Sequence, residues 1–512
     1  MLRDFFVYKS YFVIYFKYFC NFDCYNYVTI MKKIALLLGF IGFIWGCSTD
    51  DSNKIPREIE IQNFVWEGLN LYYLWQEDVQ NLADNRFANQ EQQNSFLKDY
   101  PSPTDLFNSL LYQKGTIDRF SVIYSDYTVL EQVLTGTNKN NGVDYGLFRK
   151  AAGSDEVIGW VRYILPNSDA SNKDIKRGDL FYAVNGTSLT IQNYQSLLSN
   201  ENYTLNLADY DSGNYTPNGQ SVSLTKYDYS ENPVYYTEVY EIESHKIGYL
   251  VYNGFYGDYD VQLNNAFSYF QSQGITDLVL DLRYNSGGLV STATRLASMI
   301  TGQFTNEIFA KQEWNSKVMN SFQSSGREEE LINRFTNKLA NGSNISHLNL
   351  NRVYILSTSS TASASELVIN GLEPHIDVIQ IGGKTTGKNV GSITLYDSSN
   401  FGKNGANPRH KYAMQPLTLK IVNSTGFGDY QSGLVPDISA NENLANMKPL
   451  GDISESFLAT AISEITGIPI PPSAVEQSPS VVPISDSKKM IPLKTEMYLD
   501  KIPEGIIEII RN

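Results

Sequence analysis

The spacing of apolar and polar positions changes character along the chain. From about Arg57 to Tyr127, apolar residues recur three and four positions apart, including Ile61, Phe64, Val65, Leu69, Tyr72, Tyr73 and Leu74. That spacing lines one face of a helix, and so aromatic a stripe reads as core. From 140 to about 226, short strands alternate with turns: GVDYGLFRK, then EVIGWVRYILPNSDASNKDIKRGDLFYAVNGTSL. This predicts a small β module, with one strand at Leu180–Val184. From about 228 to 470 strands alternate with helices. LVLDLR (278–283), NRVYILST (351–358) and DVIQIGG (377–383) predict strands, and Gly288–Ile300 and Ser363–Glu373 predict helices. Alternation on this scale predicts an α/β layered domain. Beyond Ile470 the run PPSAVEQSPSVVPISD reads as a Pro/Ser linker followed by a tail.

At 512 residues, with 42% apolar and 19% charged residues, the chain has material for several folded units. The pattern divides it into 1–46, 47–135, 136–227, 228–470 and 471–512. A net charge of −15 argues against a nucleic-acid binder, which needs a basic face to displace counterions. All three cysteines, Cys20, Cys24 and Cys47, lie in the first tenth of the sequence, so nothing beyond them can form a disulfide or a thiolate metal site.

The segment MKKIALLLGFIGFIWGC (31–47) has two lysines, a short apolar run and a cysteine. It reads as an export signal, too short for a spanning helix. It resembles a bacterial lipoprotein signal cut before Cys47, with Trp45 where a small residue is usual; an ordinary secretion signal is the alternative. Ser48–Asp51 resembles the acidic stretch after the lipid cysteine of Bacteroidetes surface lipoproteins. Twelve of residues 1–30 are Phe or Tyr without periodicity, so Met31 reads as the working start. The resemblance implies a lipid anchor at Cys47 in the bacterial envelope, in the outer membrane, with surface exposure an open question.

Three segments of the α/β region carry candidate chemistry. In STASASELV, Ser363 stands where a helix begins and Glu366 lies three residues on, the spacing of a capping box. A serine there is also placed for nucleophilic work, because helix N-termini favour developing negative charge. GGKTTGKNVGS (382–392) nearly spells a phosphate-binding loop, but Asn389 stands where Ser or Thr is needed and a strand pattern follows. Lys388 suits a general base instead, if desolvation lowers its pKa from about 10.4 towards 7–8, a cost of roughly 3–4 kcal/mol. LDLRYNSGG (280–288) ends a strand in a Gly pair, whose N–H groups can approach a reacting carbonyl.

Together these segments resemble the C-terminal processing peptidases, tail-specific serine proteases with a Ser-Lys dyad. Asp281-Leu282-Arg283, Asn285 and Gly287-Gly288 match the family's first motif; Ala362-Ser363-Ala364-Ser365-Glu366 matches its second. Gly387-Lys388 matches the third, and Lys388 stands 25 residues beyond Ser363, which selects Ser363 over Ser360 and Ser365. Gly433–Asp437 matches a later strand end. The resemblance implies a multidomain α/β protein with a helical N-terminal domain, a PDZ-like β module and a crotonase-like (ββα) catalytic domain. Its implied roles are Ser363 as nucleophile, Lys388 as base, and the N–H groups of Ala364 and of Gly287 or Gly288 as oxyanion hole. A loop near Tyr145, Gly146 and Leu147 would grip a peptide's terminal carboxylate. No metal or organic cofactor is implied, and the partners would be protein or peptide substrates, engaged through their C-termini.

The chain departs from the family at two positions. Pro374 stands where some relatives have an acid and Ser392 where others have Gln, which makes Ser392 the candidate third member. A second reading keeps the scaffold without the activity: an inactive peptide-binding surface lipoprotein. Ser485–Lys488 spells S-x-x-K but lacks the partner motifs of penicillin-binding enzymes and reads as chance. No histidine sits in a recognisable hydrolase motif.

Overall fold

The computed structural model describes residues 55–211, 213–470, 483–491, 494, 496–502 and 505. The chain divides after Ile55, and the described residues fall almost entirely in the unit that follows. The signal segment, Cys47 and residues 471–482 lie outside them, while 483–486, read as the end of the Pro/Ser linker, form a strand. None of the described helices is long and apolar enough to cross a membrane.

The periodic stripe near the N-terminus forms the helix Glu60–Tyr72, which buries Phe64, Val65, Leu69, Leu71 and Tyr72. These side chains join the same hydrophobic core as Leu278, Leu280, Leu296 and Leu367 of the α/β region. Asn315 secures this seam, donating from Nδ2 to the carbonyls of Leu71 and Tyr73 at 3.0 Å each. The helical region thus packs on the α/β layers and shares their core.

The β module is an antiparallel sheet built on Val143–Arg149, Val157–Ile164, Leu180–Val184, Asn202–Asp211 and Asn214–Thr225. The strand at Leu180–Val184 falls where the sequence predicts it. One correction concerns Tyr145, Gly146 and Leu147, which form no loop. They lie in the middle of the Val143–Arg149 strand, opposite Val161, Trp160 and Gly159. The other edge of that strand is occupied: Pro483–Asp486 from the tail pairs there antiparallel, setting Ser485 against Leu147 and Asp486 against Gly146.

The α/β region holds a six-stranded sheet in the order Val234–Ile242, His245–Tyr252, Asp277–Asp281, Arg352–Ser357, Asp377–Gly382 and Ile438–Ser439. Its first pair is antiparallel and the rest parallel. Such central strands are covered on both faces and so read as continuous apolar runs. The helices Val290–Thr301 and Ala364–Leu372 contribute to the core on one side, and Ser456–Thr466 packs with Tyr249, Val279 and Leu356 on the other. A second sheet includes Gly288–Leu289, Val390–Ser392, Leu417–Asn423 and Ile308–Trp314. The tail strand Met497–Tyr498 lies between the first two of these.

Candidate functional site

The candidate nucleophile stands just beyond the end of a central strand. After Arg352–Ser357 the chain turns through Thr358–Ala362 and enters the helix Ala364–Leu372, with Ser363 as its N-cap. Ser363 has φ 65° and ψ −119°, a conformation a non-glycine residue adopts only under constraint. Holding it costs about 1–3 kcal/mol, and such strain concentrates at functional sites. The constraint comes from both flanks. Thr361 Oγ1 donates to Leu282 O at 2.9 Å, and Ala362 N and Ser365 Oγ both donate to Asn285 O at 3.1 Å. The helix is buried along its length and stops before Pro374, which cannot continue it.

Glu366 does more than the capping spacing predicts. One oxygen, Oε2, accepts from Ser363 N at 2.7 Å, the backbone half of the box, and also from Lys388 N at 2.8 Å. The other accepts from Gly387 N at 2.7 Å and from the Thr385 hydroxyl. One buried carboxyl therefore ties the serine-bearing turn to the lysine-bearing loop. Burial pushes its pKa up, and these four donors work against that.

The Gly-Gly turn closes the third side. A Cβ on Gly287 (φ 110°) would lie 2.5 Å from Ser363 Cβ and 2.9 Å from its Oγ, so only glycine lets the two turns approach this closely. Gly287 N donates to Asn285 Oδ1 at 2.9 Å, and Asn285 Nδ2 donates to Tyr252 O at 2.8 Å. Below the turn, fully buried Arg283 forks between Asp281 and Glu455, with Nη1 2.8 Å from Glu455 Oε1. Asp281 also accepts from Tyr249 OH at 2.7 Å. The D-L-R motif is thus the buried ionic footing on which the Gly-Gly turn rests.

Ser363 and Lys388 are both completely buried. The Ser363 Oγ makes no hydrogen bond among the described residues, so the two side chains are not bonded to one another. Lys388 Nζ instead forms an ion pair with Glu496 at 2.8 Å and lies 4.4 Å from the centroid of the Phe120 ring. Burial lowers the pKa of Lys388, while the Glu496 carboxylate works the other way and favours the charged amine. Ser392 is buried beside them. Its Oγ donates to Glu496 Oε2 at 2.9 Å and approaches Gln415 Oε1 at 3.3 Å, so Glu496 links it to Lys388.

Sequence reasoning missed three residues. Glu496 has no local signal, being one of several acids in the tail that follows the Pro/Ser linker. Gln415 lies on the strand Ala413–Gln415, distant in sequence from every motif. Arg162, buried in the β module, donates to Ser360 Oγ at 2.8 Å and so reaches the turn before Ser363. Tyr145, Gly146 and Leu147 lie in the β module and take no part in the cluster around Ser363. Among the described residues no cluster of three or more His, Cys, Asp or Glu is arranged to hold a metal ion.

Residues 60–122 match the sequence profile of the Peptidase S41 N-terminal domain and residues 246–404 that of Peptidase family S41. The chain is 25% identical over 171 residues to the "Carboxyl-terminal-processing protease" of Picosynechococcus sp., covering 33% of this chain and 36% of the relative. It is 22% identical over 305 residues to a "Probable CtpA-like serine protease" of Staphylococcus aureus, covering 56% of each. These alignments thus span about a third and just over half of the relatives' lengths. A crystal structure described as an S41 protease from Bacteroides fragilis superposes with a TM-score of 0.61 at 24% identity, over 79% of this chain and 97% of that one, and supports the fold. With the N-terminal and peptidase profiles matched in chain order over this α/β architecture, residues 60–122 and 246–404 are similar to peptidase family S41, and the chain is similar to the carboxyl-terminal-processing proteases.

Proposed function

We propose that the chain is a serine endopeptidase that hydrolyses peptide bonds of envelope or extracellular proteins through a Ser363–Lys388 dyad. The observation that carries this reading is the single carboxyl of Glu366, which accepts from the backbones of Ser363 and Lys388 together. A strained serine at a helix N-terminus, a glycine turn against it and a desolvated lysine on the same support are what acyl transfer requires. In this mechanism Ser363 Oγ attacks the scissile carbonyl as Lys388 Nζ takes its proton. The N–H groups of Ala364 and Gly288 hold the oxyanion, since that of Gly287 is given to Asn285. Lys388 then passes the proton to the leaving amine, and water releases the acyl group. The β module would act as a PDZ-like peptide reader, and a lipid on Cys47 would hold the enzyme in the outer membrane.

The test is incubation of the chain from Ser48 onward with casein, beside Ser363→Ala and Lys388→Ala, with fragments followed by mass spectrometry. Cleavage abolished by both substitutions is the expected result, and the fragment ends report any C-terminal preference. Cleavage surviving Lys388→Ala would remove the dyad.

A further inference from the structure

The tail packs against the turn and the lysine of the candidate dyad. Its first described stretch, Pro483–Asp486, adds a strand to the open edge of Val143–Arg149. Ser487 continues the pairing, donating from N to Tyr145 O at 2.9 Å and from Oγ to Asp144 Oδ2 at 2.7 Å. Further on, Lys494 O accepts from the Ser286 hydroxyl, Met497 pairs in parallel with Gly288, and Leu499 N donates to Ser392 O at 3.1 Å. The segment thus runs from the peptide edge of the β module, past the Gly287–Gly288 turn, to the lysine. Strand addition of this kind is how a sheet edge receives an extended peptide.

Four charged side chains of the segment are buried, and each meets a matching group. Asp486 accepts from Ser360 Oγ at 2.8 Å and lies 3.5 Å from Arg162. Lys488 donates to the carbonyls of Asn253 and Tyr284 at 2.7 and 2.8 Å. Lys494 lies 3.7 Å from Glu231, and Glu496 pairs with Lys388. Buried charges are tolerated only where partners meet them, and Asp486, Lys488 and Glu496 each have a hydrogen-bonding or ion-pair partner, while Lys494 Nζ makes no hydrogen bond among the described residues. Ser363 is 0% exposed beside the turn that the segment covers, and its hydroxyl makes no hydrogen bond among the described residues.

We propose that this C-terminal segment, through residues 483–491, 494 and 496–499, is the resident ligand of the chain's own peptide cleft. It occupies the Val143–Arg149 edge and the Gly287–Gly288 turn, and Glu496 holds Lys388 away from Ser363. The enzyme is then latent until the segment is displaced. This inference rests on the peptidase reading for its consequence and on the observed pairing for its ligand.

The test uses the full chain from Ser48 with a site-specific protease recognition sequence substituted within 473–480, so that the protein folds intact and is cut afterwards. Rates on fluorescent casein are compared before cutting and after cutting and gel filtration. A labelled synthetic peptide of residues 483–499 then serves as the binding probe. The expected result is a rise of ten-fold or more on cutting, with the peptide binding only the cut chain and inhibiting it competitively. Glu496→Gln in the uncut chain should raise the rate as well. Equal rates before and after, with no peptide binding, overturn the proposal. So does a rate that falls on cutting and returns with added peptide, because the segment would then complete the site. If neither form cleaves casein but the peptide binds only the cut chain, the peptidase reading fails and the occupancy of the cleft stands.

Discussion

At the scale of single residues, the site depends on close approach. Gly287→Ala would place a methyl group 2.5 Å from Ser363 Cβ, and the two turns would have to separate. An ångström of misplacement costs about 100-fold in rate, so kcat should fall by about that factor or more, measured on the cut chain. Lys388 gives a pH prediction with a definite sign. A lysine base works as the neutral amine, so kcat/KM rises with pH through its pKa. Burial lowers that pKa and Glu496 raises it. Glu496→Gln removes the raising charge, and the acidic limb of the profile should move to lower pH. A limb that moves the other way, or not at all, would show that Glu496 does not govern the lysine's titration. Ser363 and Lys388 were legible at this scale because a motif records residue type and spacing. The pairing of Lys388 with Glu496 was not legible, because that acid comes from another part of the chain.

At the scale of elements, the strand ending in Asp281 and the turn that follows rest on a buried ionic cluster. Burial alone would raise the Glu455 carboxyl, but the Arg283 guanidinium more than offsets it and holds the pKa below the ordinary range. Removing one partner of such a buried pair costs about 3–5 kcal/mol, so Glu455→Ala should lower the thermal midpoint and disturb the Gly-Gly turn above it. The linkage also has a sign. A carboxyl depressed in the folded state contributes stability above the ordinary glutamate pKa of about 4.3, and loses it as pH falls through the lower folded value. Thermal denaturation of Glu455→Gln should therefore show a shallower loss of stability below that pH than the parent. The main strands and helices of the α/β region were legible because each carries its own apolar run. The place of Tyr145–Leu147 in mid-strand, where the resemblance implied a loop, and its edge partner were not legible, since strand pairing depends on what lies beside it.

At the scale of the molecule, one chain carries a β module, an α/β region matching a peptidase profile and a tail that joins sheets of both. The export reading adds a prediction at the same scale. Cys47→Ser in the full-length chain should move the protein from the membrane pellet to the soluble fraction of cells, because one thiol would carry the whole anchor. Retention in the pellet would remove the lipidated cysteine. The division between what each level determined follows from the range of the interactions. Sequence alone determined the main elements of the α/β region, the resemblance to the C-terminal processing peptidases and the candidate residues Ser363, Lys388, Ala364, Gly287 and Gly288, because propensity, periodicity and motif spacing are local. Tertiary structure alone decided that Glu366 joins the two loops, that Arg283 and Glu455 support the turn, and that Glu496 takes Lys388. Each of these is a buried charge whose partner comes from a different loop or element. Desolvation makes such a partner obligatory without fixing where in the chain it must come from.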